Sequence, residues 1–225
     1  MSLTNEHVFC CSSFSILLGS NQLFAPLSVK VERGQVVHIM GDNGAGKSTL
    51  LRYLSTENVR HTGEVAVRPA ASDILYLPQI QLIRSHLPFT LEEVSSLFAC
   101  QSLQPGSLVK KQRRLLSEFP DWFNAEQRGK NWNDASGGER MRALLAGALR
   151  LSDRAVLLLD EPLNHLDSRA MEAFQDDVLR LVESQGRRVT AFLVSHAPLE
   201  LLSVRLRSRY QPILLQKLPP EVDMP

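Results

Sequence analysis

Gly41-Asp42-Asn43-Gly44-Ala45-Gly46-Lys47-Ser48 fits the pattern G-x-x-x-x-G-K-[ST], the loop that cradles the phosphates of a nucleoside triphosphate. Such a loop works when its backbone N–H groups and the N-terminus of the next helix converge on one anion. Lys47 then supplies a point charge for the β- and γ-phosphates. The Ser48 hydroxyl is placed for Mg²⁺, with Thr49 closing the nucleotide-binding run.

Val156-Leu157-Leu158-Leu159-Asp160-Glu161 carries the second chemical signal. An apolar strand delivers Asp160 to its C-terminal end, where α/β sheets place ligands. An aspartate there holds Mg²⁺, directly or through water, opposite Ser48. Glu161 beside it can polarise the attacking water, since an ionised carboxylate is the obvious general base near a γ-phosphate. A strand ending in Asp-Glu is common by itself, and the phosphate loop upstream is what gives this one meaning.

The elements that must position these residues follow from periodicity. Val36-Val37-His38-Ile39-Met40 is a short β-branched apolar run before the loop, and Thr49-Leu50-Leu51-Arg52-Tyr53-Leu54 has helical character after it. Two or three short strands are expected over 8–31, with a break at Gly19-Ser20-Asn21. His61-Thr62-Gly63 reads as a turn before a strand over 64–67, and 73–77 as a core strand stopped by Pro78-Gln79. From 82 to 133 the character changes to amphipathic helices, expected over 91–99 and 108–118. A second α/β segment follows: helix 138–149, strand 155–160, helix 168–185 ended by Gly186, and strand 188–195. Alternating strands and helices predict a largely parallel sheet with helices on both faces. Arg205, Arg207 and Arg209 read as a solvated strand face, and 214–225, rich in proline, as a loose end.

Composition narrows the class. A chain of 225 residues is expected to form one domain, and 44 % hydrophobic content supplies a substantial core. A net charge of +1 gives no global argument for nucleic acid or an anionic membrane as partner. Cys10, Cys11 and Cys100 form neither a disulfide framework nor a metal-ligand spacing, which suits a reducing cytosol. Glu6 and His7 precede the apolar N-terminal stretch where a signal peptide needs positive charge, and no run is long enough to span a bilayer.

Five elements, in order, resemble the ATP-binding cassette (ABC) ATPases over nearly the whole chain. They are the P-loop, Tyr76-Leu77-Pro78-Gln79 as Q-loop, and Ala135-Ser136-Gly137-Gly138-Glu139-Arg140 as signature. Asp160-Glu161-Pro162-Leu163-Asn164-His165-Leu166-Asp167 resembles Walker B running into the D-loop, and Leu193-Val194-Ser195-His196 the strand before the switch histidine. Ser-Gly-Gly alone is a common turn and a histidine at a strand end a common cap; the order of all five makes the match specific.

The resemblance implies an α/β P-loop NTPase fold with a mostly parallel core sheet. It also implies an N-terminal antiparallel β-subdomain and a helical subdomain, about 82–133, inserted between Q-loop and signature, with 1–225 forming a single ABC ATPase domain. ATP and Mg²⁺ are the implied cofactors. Glu161, His196, Gln79 and Lys47 are the implied catalytic residues, with Ser48, Gln79 and Asp160 around the metal. Ser136, Gly137, Gly138 and Glu139 open a helix whose N–H groups and dipole bind the γ-phosphate held by a second copy, so two cassettes face head-to-tail. Asn164, Leu166 and Asp167 cross that seam as the D-loop. The chain departs from the family at the adenine platform: Leu18-Gly19 stands where Tyr-Gly is usual, and Phe14 is out of register. Ala135 and Glu139 replace the common Leu and Gln of the signature without removing its N–H groups.

Two kinds of cassette remain open. A transporter subunit needs a helical subdomain to grip a membrane permease, and the 57 positions from Gln79 to Ser136 leave room for one. Pro88-Phe89-Thr90-Leu91-Glu92-Glu93-Val94 resembles the segment after the Q-loop in bacterial importers of metal ions and metal chelates. Such a subunit lies in the cytoplasm, peripheral to the inner membrane through its permease, with no nucleic acid as partner. The alternative is a soluble, non-transport member of the ribosome-associated translation-factor type, whose flavour Leu163-Asn164-His165-Leu166-Asp167 and Gly138-Glu139-Arg140 carry. Those proteins join two cassettes in one chain. A non-hydrolysing regulatory cassette is disfavoured by intact Lys47, Glu161 and His196.

Overall fold

Five short apolar runs pair side by side, all parallel, into one sheet, in the order 74–77, 156–160, 190–194, 36–41 and 210–215. They are β4 (Val36–Gly41), β6 (Ile74–Leu77), β7 (Val156–Asp160), β8 (Thr190–Val194) and β9 (Tyr210–Leu215). The computed structural model describes residues 7–55, 59–70, 74–78, 88–100, 123–150, 156–164, 168–183, 189–196 and 199–218. Every residue of β7 and β8 is buried, because helices and a second sheet cover both faces; this is why these strands read as unbroken apolar runs. The period of two still sorts them. Leu157, Leu159, Ala191 and Leu193 enter one core, while Val156, Leu158, Phe192 and Val194 enter the other.

The first core is closed by four helices: α2 (Leu91–Cys100), α4 (Gly137–Arg150), α5 (Ser168–Glu183) and α6 (Glu200–Leu206). A short α3 (Ala125–Gly129) stands between α2 and α4. The second core lies between the sheet, α1 (Lys47–Ser55) and an antiparallel sheet of β1 (His7–Leu18), β2 (Asn21–Gln22), β3 (Leu27–Glu32) and β5 (His61–Val67). In that sheet β1 pairs with β2, β3 and β5. The expected α/β architecture with an N-terminal antiparallel sheet is therefore present.

Three local expectations are corrected. His61-Thr62-Gly63 is not a turn but the start of β5, paired to Ser15 and Ile16. Gly63, at φ 76°, passes so close to a bulge at Ser13 (φ 50°) that any Cβ would collide with the Ser13 carbonyl. Arg205, Arg207 and Arg209 line no strand: the first lies in the last turn of α6 and the others bound a single 3₁₀ turn. Leu214 and Leu215 belong to β9 rather than to a loose end. The expected helix over 108–118 lies outside the described residues.

Because all five core strands are parallel, their C-terminal ends share one edge. Gly41, Leu77, Asp160, Val194 and Leu215 all end there. The chemistry gathers at that edge.

Candidate functional site

The phosphate loop leaves β4 at Gly41 (φ 146°) and re-enters helix at Lys47, with a tight turn closed by Ala45 N–H donating to Asp42 O at 3.1 Å. Its two walls explain two glycines. A Cβ on Gly41 would stand 2.6 Å from the Leu215 carbonyl oxygen of β9, and one on Gly46 2.5 Å from Cδ2 of Leu23, which follows β2. The loop is thus packed between β9 and the segment after β2, with no room for a side chain unless its neighbours shift. Lys47 is buried, and its Nζ donates to Gly41 O at 2.8 Å and Asp42 O at 3.0 Å, so the ammonium spans the loop's mouth.

Across the sheet edge, Ser48 Oγ donates to Asp160 Oδ1 at 3.0 Å and the Tyr76 hydroxyl donates to Oδ2 at 3.2 Å. Burial pushes the Asp160 carboxyl above its usual range, against the pull of these two hydrogen bonds. Burial and the neighbouring Asp160 charge push Tyr76 up to about 12, so it remains a donor. Ser48 and Asp160 offer hard oxygen ligands, and a buried carboxylate against its desolvation penalty is what a divalent cation relieves. The pair fits Mg²⁺.

Glu161 follows in the left-handed region at φ 49°. A non-glycine residue there carries roughly 1–3 kcal/mol of strain. Glu161 N–H donates to Val194 O at 3.1 Å, tying the end of β7 to that of β8, and Asn164 N–H donates to Glu161 O at 3.3 Å. These contacts hold the strained turn and aim the carboxylate. Its Oε2 accepts from Asn164 Nδ2 at 2.5 Å, and its Oε1 lies 3.8 Å from His196 Nε2. The structure therefore brings Glu161, His196 and Asn164 together. Gln79, Leu166 and Asp167 lie outside the described residues.

The signature opens α4 with a capping box. Ser136 N–H donates to Glu139 Oε2 at 2.8 Å, and Glu139 N–H donates back to Ser136 Oγ at 3.3 Å. Lys130 Nζ holds the same carboxylate at 2.8 Å; its hydrogen bond is the largest influence lowering the Glu139 pKa. Arg140 locks the approach by donating from Nε to Trp132 O at 2.9 Å, with its guanidinium over the buried Trp132 ring. Glu139 thus replaces the usual amide while keeping the helix end ordered. Ser136 itself is exposed, open to an anion from outside the chain.

At the adenine platform, Phe14 is fully buried among Phe9, Phe24 and Tyr53 and cannot meet a base. Leu18, 72 % exposed at the end of β1, is the apolar side chain at that point. Sequence reasoning missed the Tyr76 contact, although Tyr76 stood inside a quoted motif. Its only signal was a hydroxyl on the strand next to the one carrying Asp160.

A parallel sheet whose edge gathers a phosphate loop, an aspartate facing its serine and a following glutamate defines a P-loop nucleotide hydrolase. The profile of the family described as "ABC transporter" matches residues 24–164. The zinc import ATP-binding protein ZnuC of Ruegeria pomeroyi is 32 % identical over 194 residues, which are 85 % of this chain and 70 % of that protein. The energy-dependent translational throttle protein EttA of Escherichia coli (strain K12) is 31 % identical over 79 % of this chain but only 30 % of its own length. A metal-chelate type ABC transporter in an inward-facing conformation superposes with a TM-score of 0.70 at 21 % identity, over 94 % of this chain and 80 % of that one. The chain belongs to the ABC transporter family. It is an ATP-binding, ATP-hydrolysing subunit, of the kind that works with a membrane permease. No helix among the described residues is long and apolar enough to cross a membrane.

Proposed function

We propose that the chain hydrolyses ATP as one half of a head-to-tail pair and drives import of a metal ion or metal chelate through a permease at the cytoplasmic face of a membrane. The observation that carries the hydrolytic reading is the convergence of Lys47, Ser48, Asp160, Glu161 and His196 at one sheet edge. The loop N–H groups and Lys47 bind the β- and γ-phosphates. Ser48 and Asp160 would hold Mg²⁺, with Gln79 as a further ligand, and a cation held there would supply positive charge against the phosphate oxygens. Glu161 takes the proton of the attacking water, oriented by Asn164 and by the strained turn, and His196 holds water and γ-phosphate in register with it. Ser136, Gly137 and Gly138 bind the γ-phosphate of the partner copy, whose D-loop, including Asn164, Leu166 and Asp167, crosses the seam. Residues 1–225 act as one domain, with the helical part over 82–133 receiving the permease.

Leu18 gives the base an apolar contact without stacking. The metal cargo rests on the similarity to the zinc-import relative. EttA supports a second reading, action on ribosomes, over less than a third of that protein. Affinity purification from membranes decides between them: a co-purifying polytopic membrane protein supports transport, and co-sedimentation with ribosomes contradicts it. Phosphate release from ATP by the purified chain tests hydrolysis.

A further inference from the structure

Among the apolar residues of β4 stands His38, 2 % exposed. Its Nδ1 lies 2.6 Å from the Tyr210 hydroxyl of β9, and its Nε2 lies 3.1 Å from the Ser195 carbonyl oxygen just past β8. A carbonyl only accepts, so Nε2 carries the proton and Nδ1 accepts from the tyrosine. Burial lowers the His38 pKa against its bond to Ser195, and burial raises that of Tyr210. Both groups are therefore neutral near pH 7, which is what this donor order requires. The result is a directed relay: Tyr210 O–H to His38, His38 N–H to Ser195 O. It crosses β9, β4 and β8, three neighbours in the sheet.

A buried histidine needs partners, and most find them without any bearing on chemistry. The partner here is particular. The carbonyl that His38 holds belongs to the peptide bond joining Ser195 to His196, and rotation of that peptide swings the His196 ring. His196 Nε2 in turn lies 3.8 Å from Glu161 Oε1. On the other side, β4 runs from His38 into Gly41 and the phosphate loop.

We propose that His38 is a positioning residue for hydrolysis: it fixes the Ser195–His196 peptide from the phosphate-loop strand, with Tyr210 setting its tautomer. The inference rests on the reading of His196 as a ligand of water and γ-phosphate. His38 touches neither; it acts through His196. An apolar residue would fill the same volume in β4 but would leave the Ser195 carbonyl without this donor.

Steady-state ATP turnover of the full chain tests this with His38→Asn, His38→Gln, Tyr210→Phe and His196→Ala, singly and combined. An asparagine amide ends where Nδ1 stands and cannot reach Ser195, whereas a glutamine amide can stand in for Nε2. His38→Asn is expected to lower kcat about tenfold with KM for ATP little changed, as misplacement of a reacting group does. His38→Gln restores most of the loss. In the His196→Ala background, His38→Asn has no further effect. Should His38→Asn fail to fold, Tyr210→Phe keeps the ring and carries the test through a smaller kcat loss that also vanishes with His196→Ala. Wild-type turnover in both His38→Asn and Tyr210→Phe overturns the inference while leaving the role of His196 intact. An equal loss with and without His196 overturns it too, making His38 merely structural. Full turnover in His196→Ala instead overturns the reading beneath it.

Discussion

Ser48 Oγ donates to Asp160 Oδ1 at 3.0 Å, although 112 positions separate the two residues in the chain. One opens α1 and the other ends β7, so the contact exists only because the strands run parallel and their ends share an edge. Replacing either oxygen, by Ser48→Ala or Asp160→Asn, is expected to lower ATP turnover about a hundredfold, the usual scale for losing a group that stabilises developing charge. The Mg²⁺ concentration for half-maximal turnover should rise in both variants. ATP binding measured in EDTA should be nearly unchanged, since Lys47 and the loop N–H groups remain.

Leu18→Tyr supplies the stacking surface that this chain lacks at the end of β1. Aromatic stacking on a base contributes roughly 1–3 kcal/mol, so KM for ATP should fall by about fivefold or more. In the unaltered chain, ATP and GTP should differ by less than about tenfold in kcat/KM, because one apolar contact discriminates weakly. Competition between the two nucleotides measures both.

Gly147 lies where α4 crosses α2, and a Cβ there would stand 2.5 Å from the Ser95 carbonyl oxygen. Helix propensity favours alanine over glycine by about 1 kcal/mol. Backbone cannot yield as a side chain does, so Gly147→Ala should nonetheless destabilise, by about 1–3 kcal/mol. Thermal melting reads the sign directly.

Asp177 of α5 is buried, with Oδ2 3.5 Å from Arg142 Nε and Oδ1 3.9 Å from Arg180 Nη1. Burial outweighs both arginines and pushes its pKa from 3.8 up to about 6. A carboxyl raised in the fold holds its proton more tightly there than in the unfolded chain. Its favourable contribution is full below pH 3.8 and is lost as pH rises through about 6. Asp177→Asn should therefore flatten the dependence of Tm on pH between those values.

The fold's periodic parts and the site's motif residues were legible because their signals are local. Val36 to Met40, the run before Asp160 and the glycine loop each announce themselves within a few residues. The capping box of Ser136 and Glu139 is equally local, a serine three positions before a glutamate, but it emerges only from the structure. What escaped depends on pairing across long separations. Gly63 looked like a turn because its partner, the bulge at Ser13, lies on a different strand. β9 was hidden by Pro212, which an edge strand tolerates where a central one does not. The contact of His38 with Ser195 spans 157 positions and follows only from β4 lying beside β8.

The central claim, that Glu161 is the base in a site completed by a second copy, meets its most direct test in Glu161→Gln. Light scattering during size-exclusion chromatography, with Mg²⁺ and ATP, should show this variant as a stable dimer with turnover reduced by orders of magnitude. The same variant should elute as a monomer with ADP. Unchanged turnover, or a monomer in saturating ATP, would contradict the account.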